Sequence, residues 1–305
     1  MTKDLILTSY VYPEFAGLTL IDYLTRRFTY ATREEWLERL GSQKVLLNQK
    51  IAAADQLVNA KDELSYAPGE FIEPPVNKNY QILFEDEMLF IVDKPAPLPV
   101  HPIRKYYENS LLSLLQKKYS SQEFYPVHRI DLETSGIVIF AKNSETASAL
   151  GKMFIAGAVQ KTYLALVFGH FSENEKLIDL PIAKIPKSNT FEVNQSGKAS
   201  QTRVKKISAN EKYSLLEVET LTGRPHQIRV HLQAIGFPIV GDKRYGLHPQ
   251  ALDYFIKNGF DHQMKEWVVA ERQLLHANRI ELVHPLTQKR LEIKSELPKD
   301  FEIAF

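Results

Sequence analysis

Four segments of the chain carry polar side chains of the kinds that perform covalent chemistry, at a higher density than the residues around them. They are residues 94–102, 128–136, 161–163 and 223–231, the last followed by 236–242. Carboxylate, imidazole, guanidinium and phenol groups of this kind serve as nucleophiles, proton carriers and phosphate ligands. None of the segments matches a Walker loop, a glycine-rich dinucleotide fingerprint or a nucleophile elbow. Any chemistry must therefore come from individual side chains that folding brings together.

Asp131 has two interpretations. It lies in a loop with His128 and Arg129, and an apolar, strand-like run begins six residues later. A carboxylate beside an arginine stays ionised because the opposite charge lowers its pKa, and an ionised carboxylate suits a nucleophile better than a general acid. The alternative is a loop aspartate that caps a turn, with residues 134–136 supplying the bend. Taken by itself, the local sequence favours the turn.

The arginines, histidines and tyrosine of the other segments are also ambiguous one at a time. Arg224 and Arg229 flank a His-Gln pair, a pattern that fits phosphate binding and a salt-bridged surface strand equally well. His226 and His231 are five residues apart and point to different sides of a helix or a strand. Without a third ligand they do not predict a metal site. Tyr163 opens a strand, where it either stacks on a base or is half-buried in the core.

Length and composition predict a protein of two domains. The chain has 305 residues, of which 44% are hydrophobic and 25% charged, as in ordinary globular proteins. It has no cysteine, which excludes disulfide scaffolds, thiolate zinc sites and cysteine nucleophiles. No apolar run approaches the roughly 18 residues of a membrane span, and the N-terminus is too soon polar for a secretory signal. We therefore expect a cytoplasmic enzyme or binding protein.

The formal net charge of +1 hides an uneven distribution. Residues 1–75 carry 8 basic and 11 acidic side chains. Residues 94–142 carry 7 basic and 4 acidic side chains, and residues 199–246 carry 8 and 4. These two modestly basic stretches are compatible with a phosphate-bearing partner, although solvated faces often have the same composition.

The organisation of the chain predicts a small N-terminal module, a linker and a larger domain. Helical spacing of apolar residues over 20–28 and 36–41, followed by short strand-like runs, predicts a compact α/β module over residues 1–72. Residues 73–79 are predicted to form a linker, because their consecutive prolines hold the chain extended. The second domain is predicted over residues 80–305.

The pattern of apolar runs in the second domain predicts an α+β fold with a mixed, mostly antiparallel central sheet. Apolar strand-like runs occur at 89–92, 137–140, 164–167, 214–218 and 279–283. A helix over 147–154 can be capped by Asn143 or Ser144. Strands outnumber helices and do not alternate with them regularly, which argues against a doubly wound fold. Residues 247–270 have no assignable role.

Taken together and in this order, the segments resemble the RluA-type pseudouridine synthases. The resemblance rests on 128–131 with 134–136, on 161–163, on 223–231, on 236–242 with 245–246, and on 275–277 with 284–285. One such string would be a weak match, whereas five in the order of the family are highly specific. They span most of residues 80–290, and they reverse the interpretation of Asp131 as a turn residue.

Residues 1–72 resemble the small αL-type RNA-binding domain, which is named for a ribosomal small-subunit protein. The family's module presents a basic helix face, whereas this segment is net acidic. A local basic patch is still available from Arg26, Arg27, Arg33, Arg39 and Lys44.

The resemblance implies an isomerase that flips out specific uridines of ribosomal or transfer RNA and converts them to pseudouridine. It implies that Asp131 is the catalytic carboxylate and that Arg229 pairs with it. Tyr163 would pack against the target base and help to move a proton, and Arg129 would fill the space that the flipped nucleotide leaves. Further RNA contacts are expected from His128, Lys94, His101, Arg224, His226 and Gln227. The reaction gains and loses no atom, so no metal or cofactor is expected. We also expect a monomer.

Two other functions fit parts of the pattern. A non-catalytic RNA-binding or ribosome-assembly factor explains the basic stretches, but not the presence of Asp131, Tyr163 and Arg229 together. A glycoside or nucleoside hydrolase needs a second placed carboxylate, and we do not expect Glu133 to be catalytic. Attack on the sugar, attack on the base and removal of a sugar proton are all compatible with Asp131.

Overall fold

The computed structural model describes residues 6–28, 31–66, 73–103 and 105–304. Its contacts divide the chain into two units, Met1–Ile72 and Glu73–Phe305. The predicted end of the N-terminal module at residue 72 lies outside the described residues. Residues 73–79 contain neither helix nor strand, and the Glu73 carboxylate accepts hydrogen bonds from the backbone of Glu108 and Asn109 within the second unit, both at 2.7 Å. Within the described ranges, no helix is long and apolar enough to cross a membrane.

The first unit combines two helices with a small antiparallel sheet. Its elements are β1 (Leu7–Tyr10), α1 (Leu20–Arg27), α2 (Arg33–Gly41), β2 (Val45–Leu47), β3 (Lys50–Ile51) and β4 (Glu63–Tyr66). The strand order is β1-β4-β2-β3. Thr32 and Glu35 form a capping box that starts α2, which satisfies the first backbone donors of the helix. The fully buried Trp36 packs edge-on against Tyr66, so α2 and β4 share one aromatic core.

The second unit contains twelve strands and five helices among its described residues. The strands are β5 (Gln81–Glu85), β6 (Leu89–Lys94), β7 (Tyr125–Pro126), β8 (Ser135–Ala141), β9 (Gln160–Phe168), β10 (Glu175–Asp179), β11 (Ile182–Lys184), β12 (Phe191–Val193), β13 (Gln201–Ala209), β14 (Tyr213–Thr220), β15 (Leu275–Val283) and β16 (Arg290–Lys294). The helices are α3 (Leu111–Lys118), α4 (Ser144–Ile155), α5 (Gln227–Ala234), α6 (Ala251–Asn258) and α7 (His262–Val268). A short 3-10 turn, Lys299–Ala304, follows β16.

Ten of these strands form one mixed, mostly antiparallel sheet. The order is β10-β13-β14-β9-β15-β8-β6-β5, with β16 paired to β15 and β7 paired to β8. Strands β15 and β8 are parallel, with His276 opposite Ser135, whereas the other pairs with a described register run antiparallel. The predicted α+β fold with a mostly antiparallel sheet is therefore confirmed.

The central strands are apolar throughout because both faces of the sheet are covered. Along β6, Phe90 and Val92 pack in a cluster with Leu111 and Leu115 of α3. Leu89 and Ile91 point the other way into a cluster with Leu150 of α4. Successive side chains of a strand face opposite sides, so a strand between two layers reads as a continuous apolar run.

Four helices of the second unit, α3, α5, α6 and α7, are not predicted by the sequence analysis. Residues 247–270 form α6 and α7, which share a small core of Ala251, Met264 and Val268. The segment 223–231, which was compatible with a helix or a strand, forms a turn and the start of α5. Three of the first five residues of α5 are polar or charged and yet buried, namely Gln227, Arg229 and His231.

Candidate active site

Asp131 lies in the loop that leads into β8, and it forms an ion pair with Arg229. Arg229 Nη1 donates to Asp131 Oδ2 at 2.7 Å, and Gln273 Nε2 lies 3.4 Å from the same oxygen. The Asp131 side chain is 29% exposed, whereas that of Arg229 is 10% exposed, so the carboxylate can be reached from solvent while its partner is enclosed. The backbone carbonyl of Asp131 also accepts from Thr134 N, so the predicted turn exists as well.

A second carboxylate fixes the orientation of Arg229. Arg229 Nε and Nη2 donate to the two oxygens of Asp242 at 2.7 and 2.9 Å, a bidentate arrangement. Asp242 is buried, and its Oδ1 also accepts from the backbone N–H groups of Arg244 and Tyr245. The guanidinium is thus placed by one carboxylate and presents its remaining donor to Asp131.

This arrangement keeps Asp131 ionised. Burial raises the pKa of Asp131, but the charge and hydrogen bond of Arg229 outweigh it and the pKa is lowered. The same balance lowers the pKa of Asp242. Burial alone would lower the pKa of Arg229, but its two carboxylate partners raise it. All three groups are therefore charged at neutral pH.

His226 immediately precedes α5 and lies on the same side of it as Arg229, three residues later. Its Nε2 is 3.9 Å from Asp131 Oδ1, and its Nδ1 is 2.8 Å from the Tyr245 hydroxyl. Burial lowers the pKa of His226 to about 4, so the ring is neutral at neutral pH. The edge of the Phe191 ring packs against it from β12.

Tyr163 lies on β9 between two neighbouring strands, opposite Val218 of β14 and Ala277 of β15. It is half-buried and packs against the apolar clusters on its face of the sheet. Burial, with the nearby negative charge of Asp131, raises the pKa of Tyr163 to about 12. The phenol therefore stays protonated beside an ionised carboxylate.

Three of the residues that we expect to contact RNA form hydrogen bonds inside the protein. Lys94 is fully buried, and its Nζ donates to the carbonyls of Pro95, Leu98 and Leu132. Gln227 is buried and uses its amide to hold the turn before α5 against β13, through four hydrogen bonds. His128 Nε2 accepts from Ile139 N, and its ring stacks on Phe154. These internal contacts give the three side chains a structural role in addition to the RNA contacts expected of them.

The other expected RNA contacts remain accessible. Arg129 is exposed, and its Nη1 lies 3.4 Å from His101 Nε2, which places the two side chains together beside the Asp131 loop. Arg224 is half-buried and donates through Nε to Ala199 O, which leaves the rest of its guanidinium available. His226, which is also expected to contact RNA, differs from Arg129, His101 and Arg224 because its ring faces Asp131.

Several residues at the site were not assigned from the sequence. Asp242 and Tyr245 belong to segments already noted for their motif, but their contacts with Arg229 and His226 could not be read without the fold. Glu133 contacts Lys243 Nζ at 2.8 Å, and Gln273 Nε2 donates to Thr134 Oγ1 at 2.6 Å. A signal for Asp242 is its residue type in a turn, since aspartate side chains often accept from the backbone two residues later, as Asp242 Oδ1 does from Arg244 N.

Close packing of the backbone explains two glycines in the motifs. A Cβ on Gly136 would lie 2.3 Å from Ala277 O, where β8 and β15 meet, and its φ is +108°. A Cβ on Gly241 would lie 1.7 Å from Arg272 O, and its φ is +82°. Both glycines thus let the segments that carry Asp131 and Asp242 approach β15 and the residues before it.

The described residues contain no cluster of three or more His, Cys, Asp or Glu side chains that could bind a metal ion. The two carboxylates nearest the site, Asp131 and Asp242, are bridged by the Arg229 guanidinium. The arrangement is that of an ionised, partly exposed carboxylate with a protonated phenol nearby.

Comparison with known proteins identifies the family. Residues 88–234 match the family described as RNA pseudouridylate synthase. The chain is 32% identical over 272 residues to ribosomal large subunit pseudouridine synthase C of Vibrio cholerae, across 87% of this chain and 83% of the relative. It is 30% identical over 292 residues to an uncharacterized RNA pseudouridine synthase of Mycoplasma genitalium, across 92% and 90%.

A solved structure shares the fold of about three quarters of the chain. Human RNA pseudouridylate synthase domain containing 1 is similar with a TM-score of 0.58 and 25% identity, over 74% of this chain and 86% of that one. Sequence and fold thus point to the same enzymes. The chain belongs to the RluA-type family of pseudouridine synthases and is an isomerase that acts on RNA.

Proposed function

We propose that Asp131 is the catalytic carboxylate and that the substrate is RNA of the large ribosomal subunit. The observation that carries the first part is the chain of ion pairs from Asp242 through Arg229 to Asp131, which leaves one ionised carboxylate accessible. The name of the Vibrio cholerae relative, a ribosomal large subunit enzyme, supports the second part. Transfer RNA is the alternative substrate.

The reaction requires little from the protein besides placement and charge. The glycosidic bond between the sugar C1′ and the uracil N1 breaks, the uracil rotates, and C1′ bonds to C5 of the ring. The proton of C5 is lost, and N1 gains one, so atoms and electrons balance without a co-reactant. An accessible carboxylate that is ionised at neutral pH supports such a reaction, because it can act as a nucleophile or as a base.

We assign supporting roles to Tyr163, Arg229 and Arg129. Arg229 keeps Asp131 ionised and oriented. Tyr163 packs against the target base and, with its pKa raised to about 12, contributes a phenol that can relay a proton. Arg129, which is exposed two residues before Asp131, occupies the space that the flipped nucleotide leaves in the RNA. His101 and Arg224 contribute contacts to the surrounding RNA.

We further propose that the first unit is an RNA-binding module of the αL type and that the enzyme acts as a monomer in the cytoplasm. The cytoplasmic location is supported by the Vibrio cholerae and Mycoplasma genitalium relatives, which are bacterial proteins. Arg26 and Lys44 are exposed in the first unit and can contact phosphates despite its net acidic composition.

Mapping of pseudouridine in cellular RNA tests the substrate. Total RNA from cells with and without the gene is treated with a reagent that marks pseudouridine, and the marks are located by reverse-transcription stops. We expect a stop in large-subunit ribosomal RNA that disappears on deletion and returns with the wild-type gene but not with Asp131→Asn. A lost stop in transfer RNA would replace the proposed substrate, and an unchanged map would contradict the proposal.

A further inference from the structure

Asp131 has two oxygens with different surroundings. Oδ2 accepts from Arg229 and lies near Gln273. Among the described residues no hydrogen bond reaches Oδ1, and the His226 Nε2 faces it at 3.9 Å. Oδ1 is therefore the oxygen that is available for the reaction, and His226 is the group that faces it.

The hydrogen bonds of Tyr245 determine which nitrogen of His226 carries the proton. Phe191 N donates to the Tyr245 hydroxyl at 2.9 Å, and that hydroxyl lies 2.8 Å from His226 Nδ1. Among the described residues, His226 Nδ1 is the acceptor for the hydroxyl proton. Since Tyr245 is buried, a hydroxyl proton without an acceptor would be costly. Tyr245 therefore donates to Nδ1, and the proton of the neutral ring is on Nε2.

The carboxylate favours the same tautomer. A neutral ring with its lone pair on Nε2 would point that lone pair at the negative charge of Asp131, whereas Nε2–H points a donor at it. Burial lowers the pKa of His226 to about 4, so the ring does not carry both protons at neutral pH. Two independent contacts thus select the Nε2–H form.

The backbone of His226 is also unusual. Its φ is +56° and its ψ is +16°, in the left-handed region that residues other than glycine seldom adopt. Such conformations persist where the surrounding structure fixes them, and they cluster at functional sites. Here the conformation lets His226 and Arg229 both face Asp131 from the start of α5.

We propose that His226 is a positioning residue for Asp131, and that its neutral Nε2–H donates to Oδ1 when the target uridine is bound. The inference rests on the proposed role of Asp131 as the catalyst. A gap of 3.9 Å is too long for a hydrogen bond, but catalytic hydrogen bonds are often long in the free enzyme and shorten in the complex. Closing it fixes one lone pair of Oδ1 and leaves the other directed at the nucleotide. His226 then acts through Asp131, not through contact with RNA phosphates.

Two substitutions at His226 separate positioning from packing. His226→Gln keeps an N–H donor at about the same reach, whereas His226→Leu has a similar size and no donor, and both meet the same backbone strain. We expect His226→Leu to lower the single-turnover rate constant about ten- to a hundredfold, with the RNA Kd unchanged, since a hydrogen bond to a charged group has that value. His226→Gln should recover most of the rate. His170→Leu, at an exposed histidine two residues beyond β9, is the matched control and should behave as wild type.

Each outcome decides for or against the proposal. Equal losses in the Gln and Leu variants would show a packing role, and a loss confined to the Kd would show RNA contact; either result overturns the proposal. Asp131→Asn in the same assay tests the catalytic role of Asp131 separately from the positioning role of His226. Residual activity of Asp131→Asn would refute the role of Asp131, whatever the result at His226.

A spectroscopic measurement on the wild-type protein does not depend on how the variants fold. Nitrogen-15 NMR of labelled histidines reports the tautomer of each ring, and His226→Gln identifies the signal of His226. We expect a neutral ring protonated on Nε2 at neutral pH. Tyr245→Phe removes the hydroxyl that donates to Nδ1 and should weaken this preference. A wild-type ring protonated on Nδ1 would overturn the proposal.

Discussion

At the scale of single residues, Arg229 determines the chemistry available to Asp131. Its two bonds to Asp242 fix the guanidinium, and its third donor reaches Asp131. Burial of Asp131 without this partner would raise its pKa, and the partner reverses the direction. The protein thus obtains a partly enclosed carboxylate that is still ionised.

The first prediction concerns pH. Because its pKa is lowered, Asp131 becomes protonated only below the ordinary aspartate range. The pKa of His226 is lowered to about 4, so this ring is neutral at every pH well above that value. The single-turnover rate constant, measured at saturating enzyme, should therefore show no acid limb between about pH 7 and pH 5. A fall in rate within that range, while RNA binding is unchanged, would contradict the ionised Asp131 or the neutral His226 on which the prediction rests.

The second prediction concerns Arg229→Lys. A lysine keeps the charge but has a single donor group, so it cannot contact Asp242 with two bonds and Asp131 with a third. We expect the rate constant to fall about a hundredfold and the free energy of unfolding to fall by about 3 kcal/mol, because a buried carboxylate loses its partner. Urea unfolding and single-turnover assays measure the two effects. A variant with a rate within threefold of wild type would show that the bidentate geometry is dispensable.

The contacts of single residues show which features of the site cannot be predicted from the sequence. Motif order identified Asp131, Tyr163 and Arg229 as candidates, and the structure brings Asp131 and Arg229 into contact. Lys94 and Gln227 are expected to contact RNA because they belong to the polar segments that together resemble the family. Their donors are used by carbonyls and hydroxyls from distant segments, such as Leu132 and Thr202, and sequence spacing carries no information on such partners.

At the scale of elements, the loop that carries Asp131 is fixed at each of the four residues that follow. The contacts are Leu132 O with Leu98 N, the Glu133 carboxylate with Lys243 and Gln273 N, Thr134 Oγ1 with Gln273 Nε2, and Ser135 Oγ with His276 Nδ1. The Glu133–Lys243 pair joins this loop to the turn that carries Asp242. Two adjacent residues, Asp242 and Lys243, thus connect to the Asp131 loop through Arg229 and Glu133.

The third prediction tests this second connection. Glu133→Gln removes the charge that pairs with the buried Lys243, but it keeps an acceptor for Gln273 N. We expect the rate constant to fall about tenfold, far less than for Asp131→Asn, with a loss of about 1–2 kcal/mol in stability. The double variant Glu133→Gln/Lys243→Met should lose no more rate than the worse single variant, since both disrupt one contact.

Glu85→Gln is the matched control, because Glu85 contacts Lys142 at a similar distance of 2.7 Å outside the site. It should leave the rate unchanged. Complete inactivity of Glu133→Gln would contradict the account, since it would make Glu133 a second catalytic carboxylate.

The elements themselves were predictable where apolar residues form them. The strand-like runs 89–92 and 137–140 lie within β6 and β8, because both faces of those strands are covered by apolar side chains. Helix α5 was ambiguous for the opposite reason. Its buried positions include Gln227, Arg229 and His231, and hydrophobic periodicity does not register polar residues that are buried with partners.

At the scale of the whole molecule, the chain combines a first unit of net acidic composition with an RNA-modifying second unit. Net charge does not decide whether a surface binds RNA, because a few exposed cations can contact phosphates locally. Arg26 and Lys44 are exposed, whereas Arg33 is paired with Asp22 and Arg39 lies over the Trp36 ring. Arg26 and Lys44 are therefore the cations of the predicted basic patch to test.

The fourth prediction reverses these two charges. Arg26→Glu/Lys44→Glu should raise the Kd for substrate RNA about tenfold and reduce its salt dependence, while the rate constant at saturation stays unchanged. The control is Arg290→Glu/Lys294→Glu on β16, two exposed cations outside the motifs, which should leave the Kd as it is. An unchanged Kd in the first variant would exclude these residues from RNA binding.

The central claim is that Asp131 carries out the isomerisation of uridine in RNA. The most direct measurement incubates purified wild-type and Asp131→Asn proteins with transcribed large-subunit ribosomal RNA and counts pseudouridine per RNA molecule. We expect pseudouridine to form with the wild type and not with Asp131→Asn, although both proteins fold and bind the RNA with similar affinity. Pseudouridine formation by Asp131→Asn would contradict the account at its centre.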